Sequence, residues 1–220
     1  MQVRVSGTPI GGEDAREHAW RAAVAFEAKR LGIANVAAVT LAFTLESGRR
    51  VDVDNLARPV LAGLRDAAWF TRGFTSLDRL VVTKTHGEHV GVDIQPAALL
   101  PDLGADVDVQ ILSKNVIPSE GKHEMKRVWR EAIRDSWNKP PMEGAVNVEL
   151  GFRTTRSIVA LLKPNIDALE PILGRDPSGR LEFCPLDDKI TRLTAWRISG
   201  DFALIARVSA ARSTLALPSG

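Results

Sequence analysis

"GRRVDVDNLARPVLAGL", residues 48–64, has a counterpart in "TTRSIVALLKPNIDAL", residues 154–169. Each runs from a basic, polar start into an apolar stretch with a basic-Pro pair inside it. The pairs are Arg58-Pro59 and Lys163-Pro164. Proline is disfavoured within a helix, so its recurrence at matching places points to an internal repeat.

The repeat extends outward on both sides. Upstream of the first stretch, Val39, Leu41, Phe43 and Leu45 alternate as in a half-buried strand, and "GAVNVELGF" at 144–152 alternates likewise. Before these come helical patterns at 13–32 and 122–138, with Trp129 standing where Trp20 stands. "VRVSG" at 3–7 and "VDVQILSKN" at 107–115 read as the first strands. Downstream, 77–86 and 89–96 read as a hairpin turned at Gly87, and 186–198 and 201–210 as one turned at Ser199-Gly200.

Each half therefore reads β-α-β-α-β-β. The expected fold is α/β, with two similar units at 1–98 and 105–212 forming an intrachain pseudo-dimer. The Pro-containing link at 96–106 places the boundary near residue 100, and "RSTLALPSG" at the end reads as a frayed tail.

The 220 residues suit two units of about 100 each. Hydrophobic content of 45% and charged content of 25% are ordinary for a globular chain. A net charge of +2 is too balanced to imply a nucleic-acid partner without local clustering. The one cysteine, Cys184, excludes an intrachain disulfide and a multi-cysteine metal site. The start carries no signal-peptide pattern and no run is long enough to span a membrane, so a cytoplasmic protein without a membrane partner is expected.

The two stretches differ in their acids. In a strand, Val51 and Val53 would face inward and Asp52 and Asp54 would share the outer face. Two carboxylates that close repel unless a cation lies between them, and hard divalent cations such as magnesium take oxygen ligands. Asp54 or Asn55 also suits the cap of a helix starting near Leu56. Asp78, opening the strand at 77–86, is a third candidate ligand. Arg58, one helical turn past Asp54, is placed to hold a phosphate. From 49 to 84 there are seven basic residues: Arg49, Arg50, Arg58, Arg65, Arg72, Arg79 and Lys84. Carboxylates within such a basic surface suit metal-dependent chemistry on a phosphodiester.

"DVDNLARPVLAGL" followed by "GFTSLDRLVV" resembles the signature of RusA-type Holliday junction resolvases. The resemblance covers roughly 3–95 and, more weakly, 107–208. It implies a homodimeric, magnesium- or manganese-dependent endonuclease that cuts four-way DNA junctions. Carried over, Asp52, Asp54 and Asp78 are the metal-binding catalytic acids, and Arg58 takes the place of a catalytic lysine. Arg49, Arg50, Asn55, Arg72, Arg79, Phe74 and Lys163 are the expected DNA contacts.

The second half departs from the signature. Ser157 stands at Asp52 and Val159 at Asp54, while Lys163 keeps the basic position. Asp188 stands opposite Asp78 with Asp187 beside it. The second copy therefore reads as degenerate, with a composite site as an alternative in which Lys163 or Asp188 reaches across to the aspartate pair. The function expected is a branched-DNA endonuclease that cuts or nicks. The alternative is a binding module or scaffold subunit that has lost catalysis. The chain acts as its own pseudo-dimer or as a homodimer of chains.

Overall fold

The computed structural model describes residues 2–10, 16–98 and 107–211. The boundary expected near residue 100 and the tail at 212–220 lie outside them. The first half runs β1 (Val3–Ser6), α1 (Glu17–Arg30), β2 (Ala38–Leu45), α2 (Val53–Asp66), β3 (Thr71–Phe74), β4 (Arg79–His86) and β5 (Gly91–Pro96). The second runs β6 (Val109–Ser113), α3 (His123–Ser136), β7 (Val146–Phe152), α4 (Val159–Asp167), α5 (Glu170–Leu173), a short 3-10 turn (Asp187–Lys189), β8 (Ile190–Arg197) and β9 (Leu204–Ala210).

Eight of these strands form one mixed sheet in the order β1-β5-β2-β4-β8-β7-β9-β6. Read from either edge, the order visits first, closing, second and third strand of its half. The two halves join where β4 pairs antiparallel with β8, Arg79 opposite Trp196 and Thr83 opposite Arg192. Within each half the second and third strands are parallel, β2 with β4 and β7 with β8.

The expected hairpins do not form. β5 pairs with β1 and β2, so β2 lies between β4 and β5; β7 likewise lies between β8 and β9. The turns at Gly87 and Ser199-Gly200 carry the chain over a neighbouring strand instead of folding it back. A central strand with partners on both sides satisfies two rows of backbone groups, where a terminal hairpin would leave one row unpaired.

Val39, Leu41, Phe43 and Leu45 are all buried, as their alternation requires. Helix α1 lays Trp20, Val24 and Ala28 into the core, one helical turn apart. Helix α2 buries Leu56, Val60, Leu61 and Leu64 beside it. The two helices approach closely at Gly63, where a Cβ would lie 2.8 Å from the Arg21 carbonyl oxygen and from Val24. Any larger residue there must push the helices apart. Trp20, Trp69 and Trp129 are core residues, and the Trp69 indole donates to the Ala28 carbonyl at 3.3 Å.

Candidate metal centre

The aspartate pair sits on a helix, not a strand. Strand β2 ends at Leu45, and helix α2 begins at Val53 with Asp52 as its N-cap. Asp52 is extended (φ −68°, ψ 138°), while Asp54 lies in the first helical turn. The N-terminal dipole favours acidic groups at both places. The backbone turns between the two residues, so their carboxylates meet by helix geometry and not by the alternation of a strand. Asn55 Nδ2 donates to Asp52 Oδ2 at 2.9 Å and fixes its orientation.

Among the described residues, one group of three acids could hold a metal ion: Asp52, Asp54 and Asp187. Each offers an oxygen, and these atoms all lie within 4.8 Å of one another. Asp187 comes from the second half. Strand β8 runs antiparallel to β4, so the 3-10 turn before it lands beside the end of β4; β2 is parallel to β4, so the chain leaves β2 for α2 at that same end.

Asp78, the third ligand expected from sequence, lies elsewhere. Strand β4 is parallel to β2, so its start lies beside the start of β2, with the Asp78 N–H donating to the Ala37 carbonyl at 2.7 Å. The aspartate pair follows the other end of β2. Lys84 at that end lies six positions along the chain from Asp78, about 20 Å of extended strand. The Asp78 carboxylate is held by Arg197, with Nε 2.6 Å from Oδ1. The place expected for Asp78 in the acidic cluster is taken by Asp187.

Asp188 turns away from the cluster. Its backbone carbonyl accepts a hydrogen bond from Lys84 Nζ at 2.5 Å, and its carboxylate faces Arg50 Nε at 3.7 Å. The composite arrangement does bring in its neighbour Asp187, together with Lys163. Lys163 Nζ lies 2.7 Å from Asp187 Oδ2 and 3.2 Å from Asp167 Oδ1. Asp167 in turn pairs with Lys126 at 2.6 Å, and both are almost wholly buried. The Leu-Asp shared at 77–78 and 186–187 aligns Asp187, and not Asp188, with Asp78, a signal that the expected pairing of Asp188 with Asp78 passes over.

Asp54 is 2% exposed, with neither oxygen in a well-formed hydrogen bond among the described residues. Its nearest ion pair is with Arg58, at 3.7 Å. Burial raises its pKa and Asp187 adds to the rise, against the pull of Lys163, Arg58 and the Asn55 backbone N–H. Asp187 is pushed up to about 7, first by burial and further by Asp52, against the pull of Lys163. Burial alone would lower the Lys163 ammonium, but Asp187 and Asp167 outweigh it and raise its pKa. A buried carboxylate without a well-formed hydrogen bond, crowded by two others, is the electrostatic deficit that a divalent cation relieves.

The other expected contacts divide between the two ends of the seam. Arg58 is half exposed at the rim, also 3.5 Å from Glu120. Arg49 and Arg50 line a cavity of about 540 Å³ with Lys84, His86 and Asp188. On the other side of Asp188 a cavity of about 780 Å³ is lined by Arg50, Asp52, Lys163 and Asp187 among others. Arg72 and Phe74 sit near Asp78, away from the cluster. Phe74 packs on Phe70 and lies under Arg65. Arg79 is buried and donates to the Ala98 carbonyl at 2.6 Å, so it presents no cation to a ligand. It is an interior residue because it begins a central strand of the sheet.

The chain matches no protein-family model and no curated protein. Among the described residues, no helix is long and apolar enough to cross a membrane.

Two expectations follow from this geometry. Asp187→Asn should weaken manganese binding by more than the roughly tenfold that loss of an outer-shell partner costs, while Asp188→Asn should change it less than that. Calorimetric titration of both variants checks the assignment, and equal losses would return Asp188 to the site. The second concerns pH. Between the ordinary aspartate value and about 7, the folded metal-free protein holds a proton on Asp187 that the unfolded chain releases. Its stability contribution therefore falls as pH rises through that window. A cation must displace that proton, so manganese should bind about tenfold more tightly at pH 8 than at pH 6.

Proposed function

We propose that this protein is a metal-dependent endonuclease for branched DNA, its one acidic site assembled from both halves. The observation that carries the reading is Asp54: buried, without a well-formed hydrogen bond among the described residues, and meeting Asp52 and Asp187. The residues fit magnesium or manganese, since all three ligands are hard carboxylate oxygens and no cysteine or histidine joins them. Such a cation supplies Lewis-acid polarisation of a phosphoryl oxygen and lowers the pKa of a bound water.

The chain's own residues would do the rest. Asp52, Asp54 and Asp187 would hold the cation. Asn55 orients Asp52, and Lys163 tethers Asp187. Arg58 and Arg50 sit at the rim, where a guanidinium can grip a phosphate of the substrate strand. The resemblance to RusA-type resolvases supports a four-way junction as the preferred substrate, and the mirrored strand order suits a two-fold branched partner.

The test is incision of a labelled four-way junction with magnesium or manganese, beside a linear duplex. Cleavage of the junction alone, abolished by chelation, is the expected result. Tight junction binding that weakens steeply with salt but yields no incision would favour a recognition module instead. Neither binding nor cleavage would end the nucleic-acid reading.

A further inference from the structure

The β4–β8 seam has two ends, and the halves meet at each. At one end the loop entering α2 faces the start of β8; at the other the loop entering α4 faces the start of β4. We infer that only the first crossing takes a metal ion, so that each chain carries one site and makes one incision per encounter with its substrate. This rests on the reading of the protein as a metal-dependent nuclease.

The two crossings are spanned by different cations. At the acidic crossing Lys84, near the end of β4, donates to two carbonyls, Val51 at 2.7 Å and Asp188 at 2.5 Å. It stitches the loop of one half to the strand start of the other and uses no carboxylate. Asp52, Asp54 and Asp187 are left facing one another, with Lys163 on Asp187 Oδ2 and no cation within hydrogen-bond reach of Asp54.

At the opposite crossing Arg197, the last residue of β8, does the stitching. It donates to the Thr154 carbonyl in the loop entering α4, as Lys84 does to Val51, and to the Thr75 carbonyl at 2.8 Å. Its third contact is the difference: Nε lies 2.6 Å from Asp78 Oδ1. The acid that the first half offers here is already neutralised by a guanidinium whose fork suits carboxylates. The loop and helix of the second half add Ser157 and Val159 in place of two aspartates. The Ser157 hydroxyl is buried and has no hydrogen-bond partner among the described residues. One hydroxyl, one hydrocarbon side chain and one occupied carboxylate do not make a site for a hard cation that wants several oxygen ligands.

The chemistry follows from the count. In one hydrolysis the oxygen of water bonds to phosphorus and one P–O ester bond breaks. One proton leaves to solvent and the departing alkoxide takes up another, leaving a phosphate monoester and a hydroxyl. Cutting two opposed strands in one encounter takes two such sites. This chain supplies one, and its product is a nick.

Two measurements on the intact protein test this. Calorimetric titration with manganese is expected to give one site per chain in the wild type and none in Asp54→Asn. Two sites per chain would overturn the inference. No manganese uptake by the wild type would overturn the nuclease reading beneath it, and the inference with it. On a supercoiled plasmid bearing an extruded cruciform, the expected first product is the open circle. A linear plasmid formed without an open-circle intermediate would overturn the single-incision claim while leaving the metal site standing.

Discussion

Asp54→Asn is expected to reduce metal-dependent incision on the order of a thousandfold and, at the same time, to raise the thermal stability of the metal-free protein. The two effects share one cause. Asp54 is buried with neither oxygen in a well-formed hydrogen bond among the described residues, and its pKa is raised by that burial. As a ligand it delivers charge to the cation. A Lewis acid lost from a phosphoryl transfer removes several kcal/mol, and about 4 kcal/mol corresponds to about a thousandfold. Without metal the same carboxylate is a buried charge that Lys163 and Arg58 compensate only in part, and asparagine keeps its shape without it.

The pH dependence fixes the sign. A raised folded-state pKa means that ionisation of Asp54 opposes folding above the ordinary aspartate range. The stability gain in Asp54→Asn should therefore be larger at pH 8 than at pH 5. Single-turnover cleavage and thermal unfolding in chelator give both readouts. Activity within tenfold of wild type, or a variant less stable at pH 8 in chelator, would remove Asp54 from the site.

The second large effect concerns stability. Asp167→Asn should destabilise the protein by about 3–5 kcal/mol, because it leaves Lys126 buried without its carboxylate. Lys126 is 4% exposed, so water cannot replace the lost partner. Lys163 suffers less, since Asp187 remains 2.7 Å away. In a chain of this size the loss corresponds to roughly 10 °C in melting temperature. The double variant Lys126→Met/Asp167→Leu should recover most of it, since a hydrophobic pair of similar volume avoids desolvating two charges. A double variant no better than the single one would show that the pair contributes more than it costs. Thermal unfolding of the three proteins decides.

The parts legible in the sequence were those set by local pattern. Alternation at 39–45 marked β2, the matched tryptophans marked α1 and α3 as core helices, and the recurring basic-Pro pair marked α2 and α4 as counterparts. Asp52 and Asp54 were legible as a pair, though on a helix N-terminus and not a strand, because Val51-Asp52-Val53-Asp54 alternates like a strand right into the first helical turn. The third ligand was not legible. Asp78 and Asp187 both follow a leucine and both precede a strand. Which one reaches the pair depends on strand direction: β4 is parallel to β2, and β8 is antiparallel to β4. That is a property of sheet order, which pairs residues far apart and leaves no local trace. The hairpins failed for the same reason, since the partner of β5 is chosen by the sheet and not by the turn.

The stitch made by Lys84 carries a further consequence, one of time. Its hydrogen bond to Asp188 spans 104 positions of chain, and contacts of such separation form late because the loop must close before they are rewarded. Each half can collapse onto its own helices first, with the acidic centre still in two pieces. A cation can then be taken up only after the seam has zipped. Metal is accordingly expected to slow unfolding far more than it changes the folding rate, as stabilisation of a late-forming contact does.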